Sequence, residues 1–244
     1  MGQKMANGRY KRVLLKLSGE SFCEPGGFGI EGSALSSISE RILEARELGP
    51  EVAVVVGAGN FLRGASFSKV SEIPRHTADY MGMLATIINA CALQETLESK
   101  GQPTRVLSAI EVSAICEKFI RRRALRHLER GRVAILAGGT GNPFFTTDTC
   151  AALRASELDV DLVIKATKVD GVYSDDPEKN PHAELFEKLS YADVLEKDLR
   201  VMDHSAITLC RDNDIAIIVL NIFKKDNITK AIRGERVGTL ISKS

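Results

Sequence analysis

Four charged residues lie at the ends of apolar runs or shortly after them, three of them near glycine-rich turns, in a pattern suited to binding phosphate groups. Lys16 is followed by the turn Leu17–Gly19, and Arg63 comes shortly after a second glycine-rich turn. Asp148 follows a third such turn, and Lys165 lies at the end of an apolar run. Glycine lets a backbone approach a phosphate closely, while lysine and arginine supply the opposite charge. These residues predict binding of a strongly anionic, phosphorylated ligand.

Each of the three turns ends a short apolar run, which predicts a buried strand. The three segments are Val13–Glu20, Val52–Asn60 and Val133–Asn142. Open α/β sheets bind ligands at the carboxyl ends of their parallel strands. The turns therefore predict one crevice lined by backbone N–H groups.

Lys16 and Arg63 each have a structural alternative to a phosphate contact. An uncompensated ammonium group inside an apolar strand is costly, which favours a functional role for Lys16. A lysine whose apolar stem is buried and whose ammonium group reaches water is the alternative. Arg63 follows a possible anion-binding backbone turn, although an isolated arginine there could also be an ordinary surface residue.

The segment from Thr140 to Asp148 is the most specific motif. Its two adjacent phenylalanines are unexpected in a polar turn and are suited to enclosing a flat ring, whose polar edge Asn142 would recognise. The two threonines before Asp148 and the N-terminus of the next helix are suited to an anion. Asp148 itself could orient Lys16 or a metal ion, or could simply cap the helix.

The segment Lys165–Tyr173 and the acidic residues after it allow two interpretations. A lysine at a strand end, followed by an Asp-Gly pair and an aromatic side chain, could form a second nucleotide pocket. The Asp-Gly pair by itself indicates only a turn. Neither a GxxxxGK[ST] nor a GxGxxG motif occurs, so the phosphate site differs from a P-loop or a dinucleotide-binding turn.

Composition restricts the class of protein. The chain has 244 residues with 33 basic and 32 acidic side chains, and this balance argues against a general binder of nucleic acid or of membrane surfaces. The five cysteines are scattered and show no CxxC spacing, as expected in a reducing compartment. No apolar run approaches the roughly 20 residues that span a membrane. We expect a cytoplasmic protein.

Strand and helix patterns alternate along most of the chain. This alternation predicts an α/β fold: one domain with two lobes, built as an αβα sandwich on a largely parallel central sheet. We expect a disordered tail over residues 1–9, then lobes over about 10–160 and 161–244. The predicted strands are 13–17, 52–56, 104–108, 132–137, 160–165, 215–220 and 239–242. The predicted helices are 33–48, 79–99, 117–130, 147–158, 191–197, 203–213 and 228–233.

Taken together, the motifs resemble the amino acid kinase fold family, and within it the bacterial uridylate (UMP) kinases. The resemblance extends from about Tyr10 to Ser242. It rests on Lys16–Glu20, the turn 57–64, Asp79–Met83, Thr140–Asp148, Lys165–Tyr173 and Val201–Asp203.

The resemblance implies transfer of the γ-phosphoryl group of ATP to UMP with Mg²⁺, in pyrimidine nucleotide biosynthesis. It also implies a homohexamer that GTP activates and UTP inhibits. The resemblance assigns no residue of this chain as a ligand of the metal ion. No nucleic acid or membrane partner is expected.

The resemblance also implies roles for individual residues. The catalytic residues would be Lys16, Arg63, Asp148 and Lys165. The contacts with ATP would be Lys16, Leu17, Ser18, Gly19, Gly59, Arg63, Thr167, Tyr173 and Asp176. The contacts with UMP would be Gly57, Ala58, Asp79, Thr140, Gly141, Asn142, Pro143, Phe144, Phe145, Thr146 and Thr147. The segment tied to GTP activation would be Glu24, Pro25, Gly26, Gly27, Phe28 and Gly29.

Two alternative functions remain open on the sequence. A sibling kinase could phosphorylate a carboxylate or carbamate, as acetylglutamate and aspartate kinases do, although the pair Phe144 and Phe145 suits a planar base better. A catalytically silent, nucleotide-sensing subunit is the other alternative, and the four charged residues named first argue against it.

Overall fold

A computed structural model describes residues 10–177, 179–180, 182–199 and 201–243. The tail predicted over residues 1–9 lies outside the described residues. One nine-stranded sheet runs through the domain, with helices on both of its faces.

The strands follow the apolar runs of the sequence. They are β1 (Arg12–Leu17), β2 (Glu51–Val56), β3 (Thr104–Ser108), β4 (Glu117–Lys118), β5 (Val133–Ala137), β6 (Leu162–Thr167), β7 (Lys188–Ser190), β8 (Ala216–Asn221) and β9 (Thr239–Ser242). Their order across the sheet is β4-β3-β5-β2-β1-β6-β8-β9-β7. All neighbouring pairs are parallel except β8 and β9. The predicted, largely parallel α/β fold is confirmed.

The helices connect these strands. They are α1 (Gly32–Glu47), α2 (Gly64–Val70), α3 (Arg75–Ser99), α4 (Arg121–Glu129), α5 (Thr147–Glu157), α6 (Tyr191–Glu196), α7 (His204–Asp212) and α8 (Asn227–Arg233), and a 3-10 turn covers Gly19–Phe22. Within the described ranges, none of them combines the length and the apolar character needed to cross a bilayer.

Two predicted boundaries are wrong. The helix predicted over 117–130 begins only at Arg121, because Glu117 and Lys118 pair with β3 as the edge strand β4. No helix is predicted between β2 and the long helix, but the structure has α2 there, and α3 begins four residues before the predicted start at Asp79. Serines and a glycine dominate α2, so its sequence carries no helical apolar period.

Two apolar clusters, one on each face of the sheet, form the core. Val13 and Leu15 of β1 pack toward α1, α3 and α8, whereas Leu14 packs toward the side of α5 and α7. Because side chains alternate along a strand, Lys16 shares the face of Leu14 and points to the α5 side. The alternation of β1 therefore decides which helix Lys16 meets.

Strand order brings the predicted turns together. Strands β5, β2, β1 and β6 are consecutive neighbours and run parallel, so their carboxyl ends meet at one edge. The chain extends from β1 to β2 on one side and returns to β6 on the other, which makes this edge a topological switch point.

Candidate active site

A cavity of about 450 Å³ opens at this edge of the sheet. Many of the predicted site residues line it: Lys16, Ser18, Gly19, Gly57, Ala58, Gly59, Arg63, Asp79, Thr140, Phe145, Thr146, Thr147, Asp148 and Lys165. The rest of the wall comes from Leu62, Gly64, Ala65, Arg75, Gly82, Met83, Thr86 and Gly139.

Two lysines and one aspartate form the charged floor of the cavity. Lys16 and Lys165 are direct neighbours in the register of β1 and β6, so their side chains leave the same face of the sheet. Asp148 lies between them: its Oδ1 is 2.6 Å from Lys16 Nζ, and its Oδ2 is 2.8 Å from Lys165 Nζ. Lys165 Nζ also donates to the carbonyl of Val201.

Burial and charge act in opposite directions on these groups. Burial raises the pKa of Asp148, but the two ammonium groups outweigh it and hold that pKa below its ordinary value. Burial is the main cause that lowers the pKa of Lys165 below its ordinary value, repulsion from Lys16 acts in the same direction, and Asp148 opposes both. A carboxylate between two ammonium groups limits their mutual repulsion, and the group keeps a net positive charge that suits a phosphate.

The capping role considered for Asp148 belongs to Thr146. The Thr146 hydroxyl accepts hydrogen bonds from the N–H groups of Asp148 (3.1 Å) and Thr149 (3.3 Å) at the start of α5. Thr146 and Thr149 both donate to the carboxylate of Asp203, at the start of α7. Asp148 is therefore free of the cap and pairs with the lysines.

The first and second glycine turns are in backbone contact. A Cβ on Gly19 would lie 2.2 Å from the nitrogen of Gly59, so no larger residue fits there without moving the second turn. Ala58 does not have a positive φ, so its methyl group causes no backbone strain. Among the described residues, the N–H groups of Ala58 and Gly59 have no acceptor and remain available to a ligand.

Arg63 lies at the rim of the cavity. Its guanidinium pairs with Glu20, and both side chains are substantially exposed. An exposed ion pair contributes little stability, so Arg63 can exchange its partner for a phosphate at low cost.

Asp79 connects α3 to the turn that contains Phe144 and Phe145 (the phenylalanine turn). Its carboxylate accepts two contacts of 2.9 Å from Arg75 Nε, and its Oδ2 accepts the Phe144 N–H at 2.8 Å. The Arg75 guanidinium lies 5.7 Å from the centre of the Phe144 ring. Phe144 has a φ of +71°, and these two contacts hold it in that uncommon conformation.

The phenylalanine turn is only partly inside the cavity. Phe145 lines the wall, whereas Gly141, Asn142, Pro143 and Phe144 are not among the lining residues. Both rings are largely exposed, at 66% for Phe144 and 52% for Phe145. Exposed aromatic faces are available for stacking, as expected for residues that would enclose a planar ring.

Four of the residues predicted to contact ATP lie outside this cavity: Leu17, Thr167, Tyr173 and Asp176. Leu17 is buried at the end of β1, and Thr167 ends β6, where its hydroxyl donates to the carbonyls of Val169 and Leu220. Tyr173 pairs with Leu185 in an isolated bridge, and Asp176 is exposed. Leu17 and Thr167 are thus the last residues of β1 and β6, and Tyr173 and Asp176 follow β6 along the chain.

The glycine-rich segment from Glu24 to Gly29 packs on the second glycine turn. The Gly29 N–H donates to the Asn60 carbonyl at 3.0 Å, and the Phe28 ring meets the Phe61 ring edge to face at 5.6 Å. Phe28 is otherwise exposed. This segment is therefore in direct contact with the second glycine turn.

Sequence reasoning missed Arg75 and Thr86. The spacing of Arg75 and Asp79 by four residues is that of an ion pair on one helix face, which was a usable signal. Thr86 accepts the Gly138 N–H at 2.8 Å and so ties α3 to the third turn, a long-range contact with no local pattern.

The carboxylates of the site are the groups that could bind a magnesium ion. Asp148, Asp79 and Glu20 are each engaged by lysine or arginine. Among the described residues, no group of three or more histidine, cysteine, aspartate or glutamate side chains is placed to hold a metal. Mg²⁺ is commonly held by substrate phosphates, water and one or two carboxylates. The site therefore suits a magnesium ion that arrives bound to the phosphates of a nucleotide.

Comparison with known proteins adds a family. The model of the amino acid kinase family matches residues 11–221. The chain is 53% identical over 233 residues to a protein named uridylate kinase PUMPKIN, chloroplastic, of Arabidopsis thaliana, and the match covers 96% of this chain and 69% of that relative.

Solved structures show the same similarity. The UMP kinase of Bacillus anthracis is 39% identical with a TM-score of 0.93, and 97% of each chain is covered. The UMP kinase of Ureaplasma parvum is 34% identical with a TM-score of 0.89, covering 96% of this chain and 100% of that one. The uridylate kinase of Archaeoglobus fulgidus is 29% identical with a TM-score of 0.72, covering 94% and 99%.

Proposed function

This chain belongs to the amino acid kinase family, and on that premise we propose that it transfers the γ-phosphoryl group of ATP to UMP. The products are ADP and UDP. The observation that carries the proposal is the group formed by Lys16, Asp148 and Lys165 on the floor of a cavity enclosed by three glycine-rich turns. The relatives named as uridylate or UMP kinases support UMP as the acceptor.

The reaction needs positioning and positive charge more than acid–base chemistry. The bond between the γ-phosphorus and its bridging oxygen breaks as a bond forms to a phosphate oxygen of UMP. That oxygen is already anionic, so no general base has to remove a proton. Lys16, Lys165 and Arg63 offset the charge of the transferred group, and Asp148 holds the two ammonium groups in place.

Mg²⁺ would accompany the ATP phosphates, where it would supply further charge neutralisation. Free N–H groups of the second turn would contact the transferred group. The lobe over about 10–160 would hold UMP, and that over about 161–244 would hold the adenine nucleotide. Thr167, Tyr173 and Asp176 would serve the adenine nucleotide, and Thr167 supports this by ending β6, two residues beyond Lys165.

One assay tests the function. ADP release is coupled to an optical readout and measured with ATP, Mg²⁺ and, in separate reactions, UMP, CMP, acetylglutamate and aspartate. We expect turnover with UMP above all others. Turnover with acetylglutamate or aspartate alone would assign a sibling kinase, and binding of ATP and UMP without ADP release would assign a nucleotide-sensing subunit.

Asp79→Asn is expected to raise KM for UMP more than KM for ATP. The substitution weakens the contact with Arg75 and with the Phe144 N–H, so the turn that would hold the base loses its support on α3. Initial rates over a grid of both substrates measure the two constants. Asp212→Asn, exposed at the end of α7, is the control. Equal increases in the two KM values would remove Asp79 from the UMP site.

Regulation by GTP and UTP is proposed from the family resemblance. The contacts of the segment Glu24–Gly29 with Asn60 and Phe61 support a path from that segment to the phosphate-binding turn. The ADP assay repeated with added GTP and with added UTP is expected to give a higher and a lower rate, respectively.

A homohexamer is proposed from the family resemblance, and an exposed apolar stripe on α3 supports it as a contact between copies. Tyr80, Leu84 and Ile88 recur every four residues on α3, and each is between 44% and 53% exposed. Burying such a stripe against a second copy is favourable. We expect Leu84→Glu to lower the mass measured by light scattering, while Glu95→Gln, farther along the same helix, leaves it unchanged. An unchanged hexamer in the Leu84→Glu variant would exclude this face as an interface.

A cytoplasmic location is proposed on the cysteines. All five are unpaired, and three of them are buried, as suits a reducing compartment. The plant relative carries a chloroplastic location in its name.

A further inference from the structure

A pair of buried asparagines lies directly behind the phosphate-binding turn. Asn60 belongs to that turn and Asn89 to α3, and they are 2% and 0% exposed. Each side-chain amide donates to the other's oxygen, at 2.9 Å from Asn60 Nδ2 and 2.8 Å from Asn89 Nδ2. The two amides thus form a closed pair with two reciprocal hydrogen bonds.

The remaining N–H of each amide holds the backbone of a different segment. Asn89 Nδ2 donates to the carbonyl of Gly57 at 2.8 Å. Asn60 Nδ2 donates to the carbonyl of Gly29 at 2.7 Å, and the Gly29 N–H returns a bond to the Asn60 carbonyl. The pair therefore joins α3, the second glycine turn and the end of the segment Glu24–Gly29.

Asparagine is the residue type that this arrangement requires. Each position needs two hydrogen-bond donors and one acceptor. An ionised aspartate has acceptors but no donor, and a leucine has neither. Glutamine is one methylene longer and does not fit a fully buried site without displacing its neighbours. The Asn60 oxygen also lies 2.7 Å from the place where a Cβ on Gly19 would be, so the pair is packed against the first turn as well.

The position of the pair bears on the free N–H groups of the turn. Gly57 is held at both ends: its N–H donates to the Leu17 carbonyl at 2.9 Å, and its carbonyl accepts from Asn89. With Gly57 held this way, the N–H groups of Ala58 and Gly59 remain without acceptors among the described residues. Losing the Asn89 contact frees the peptide between Gly57 and Ala58 to rotate, which redirects the Ala58 N–H.

We propose that Asn60 and Asn89 are positioning residues that hold the Gly57–Gly59 turn in the orientation required for phosphoryl transfer. The inference rests on the proposed kinase function. Neither amide reaches the transferred group: they act through the backbone of the turn. Misplacement of a binding group by about 1 Å can lower a rate on the order of a hundredfold.

The test compares Asn60→Leu, Asn89→Leu and the double variant. A single substitution leaves the partner's amide buried and unsatisfied, which lowers Tm, whereas the double substitution removes both amides together. We expect the double variant to lose less Tm than the sum of the single losses. Its kcat should nevertheless stay at least tenfold below wild type, because the Gly57 carbonyl is still not held. KM for UMP should change by a smaller factor than kcat, because only Gly57 and Ala58 of the expected UMP contacts belong to this turn, while Asp79 and the phenylalanine turn are untouched.

Thr104→Val provides the matched control. Thr104 is fully buried at the start of β3, at the end of the strand away from the cavity. Its hydroxyl donates to the Gln102 carbonyl at 3.0 Å. Its loss should lower Tm without lowering kcat. A double asparagine variant whose kcat recovers in step with its Tm would overturn the positioning role and leave the pair a purely stabilising contact. Failure of the wild type to turn over UMP would refute the proposed function instead, before any variant is compared.

Discussion

Lys16→Ala is expected to lower kcat on the order of a hundredfold or more, the scale found when one preorganised charge-stabilising group is removed from an active site. Lys16 is buried at 8% exposure and its ammonium group is 2.6 Å from Asp148, on the floor between the first two glycine turns. Its removal takes a positive charge from the place where the phosphoryl group would be transferred. Steady-state ADP release with saturating UMP measures the effect.

Lys16→Met separates charge from packing, because it keeps most of the side-chain volume and loses only the ammonium group. We expect the same large fall in kcat in both variants. Lys100→Ala, which removes a surface pair with Glu40, is the matched control and should keep wild-type turnover. Near-normal turnover of Lys16→Met would remove Lys16 from the catalytic machinery.

Asp148→Asn is expected to impair both turnover and stability. It leaves the ammonium groups of Lys16 and Lys165 close together in a buried place without a carboxylate between them. Removing one partner of a buried ion pair typically costs about 3–5 kcal/mol, because the other charge is left uncompensated. The free energy of unfolding in urea, together with kcat, measures both effects, and the exposed Asp212→Asn serves as the control.

The pH dependence of this loss gives a second measurement. The folded-state pKa of Asp148 is held below its ordinary value, so the carboxylate contributes stability that is fully present above the unfolded pKa of about 3.9. That contribution is lost as pH falls through the lower folded-state pKa. The stability difference between wild type and Asp148→Asn should therefore be constant near neutrality and shrink only in strong acid. A difference that already vanishes between pH 7 and pH 5 would contradict the ion-pair assignment.

Local sequence patterns were sufficient for most of the fold. Apolar runs such as 52–56 and 133–137 became central strands because buried parallel strands are continuously apolar, and this pattern is local. The strand predicted over 160–165 is observed two residues later, because the ends of an apolar run mark the ends of a strand only approximately. Helix α2 lacks a helical apolar period, and strands β4 and β7 carry too few residues to show an alternating one.

The candidate site divides in the same way. Lys16, Arg63, Asp148 and Lys165 could be predicted as site residues from the sequence, because a charged residue at a strand end or near a glycine-rich turn is a short, local motif. The role of Asp148 could not be chosen from the sequence, because capping and lysine pairing fit the same position. The structure separates the two by placing the Thr146 hydroxyl at the cap.

The sequence by itself determined that an α/β domain would present three glycine-rich turns and a set of phosphate-binding side chains at strand ends. Only the tertiary structure decided that β1 lies between β2 and β6, which makes Lys16 and Lys165 direct neighbours around one carboxylate. It alone also revealed the amide pair of Asn60 and Asn89 behind the second turn. The physical reason is that motifs depend on neighbours along the chain, whereas strand order and buried hydrogen bonds depend on packing between residues far apart in sequence.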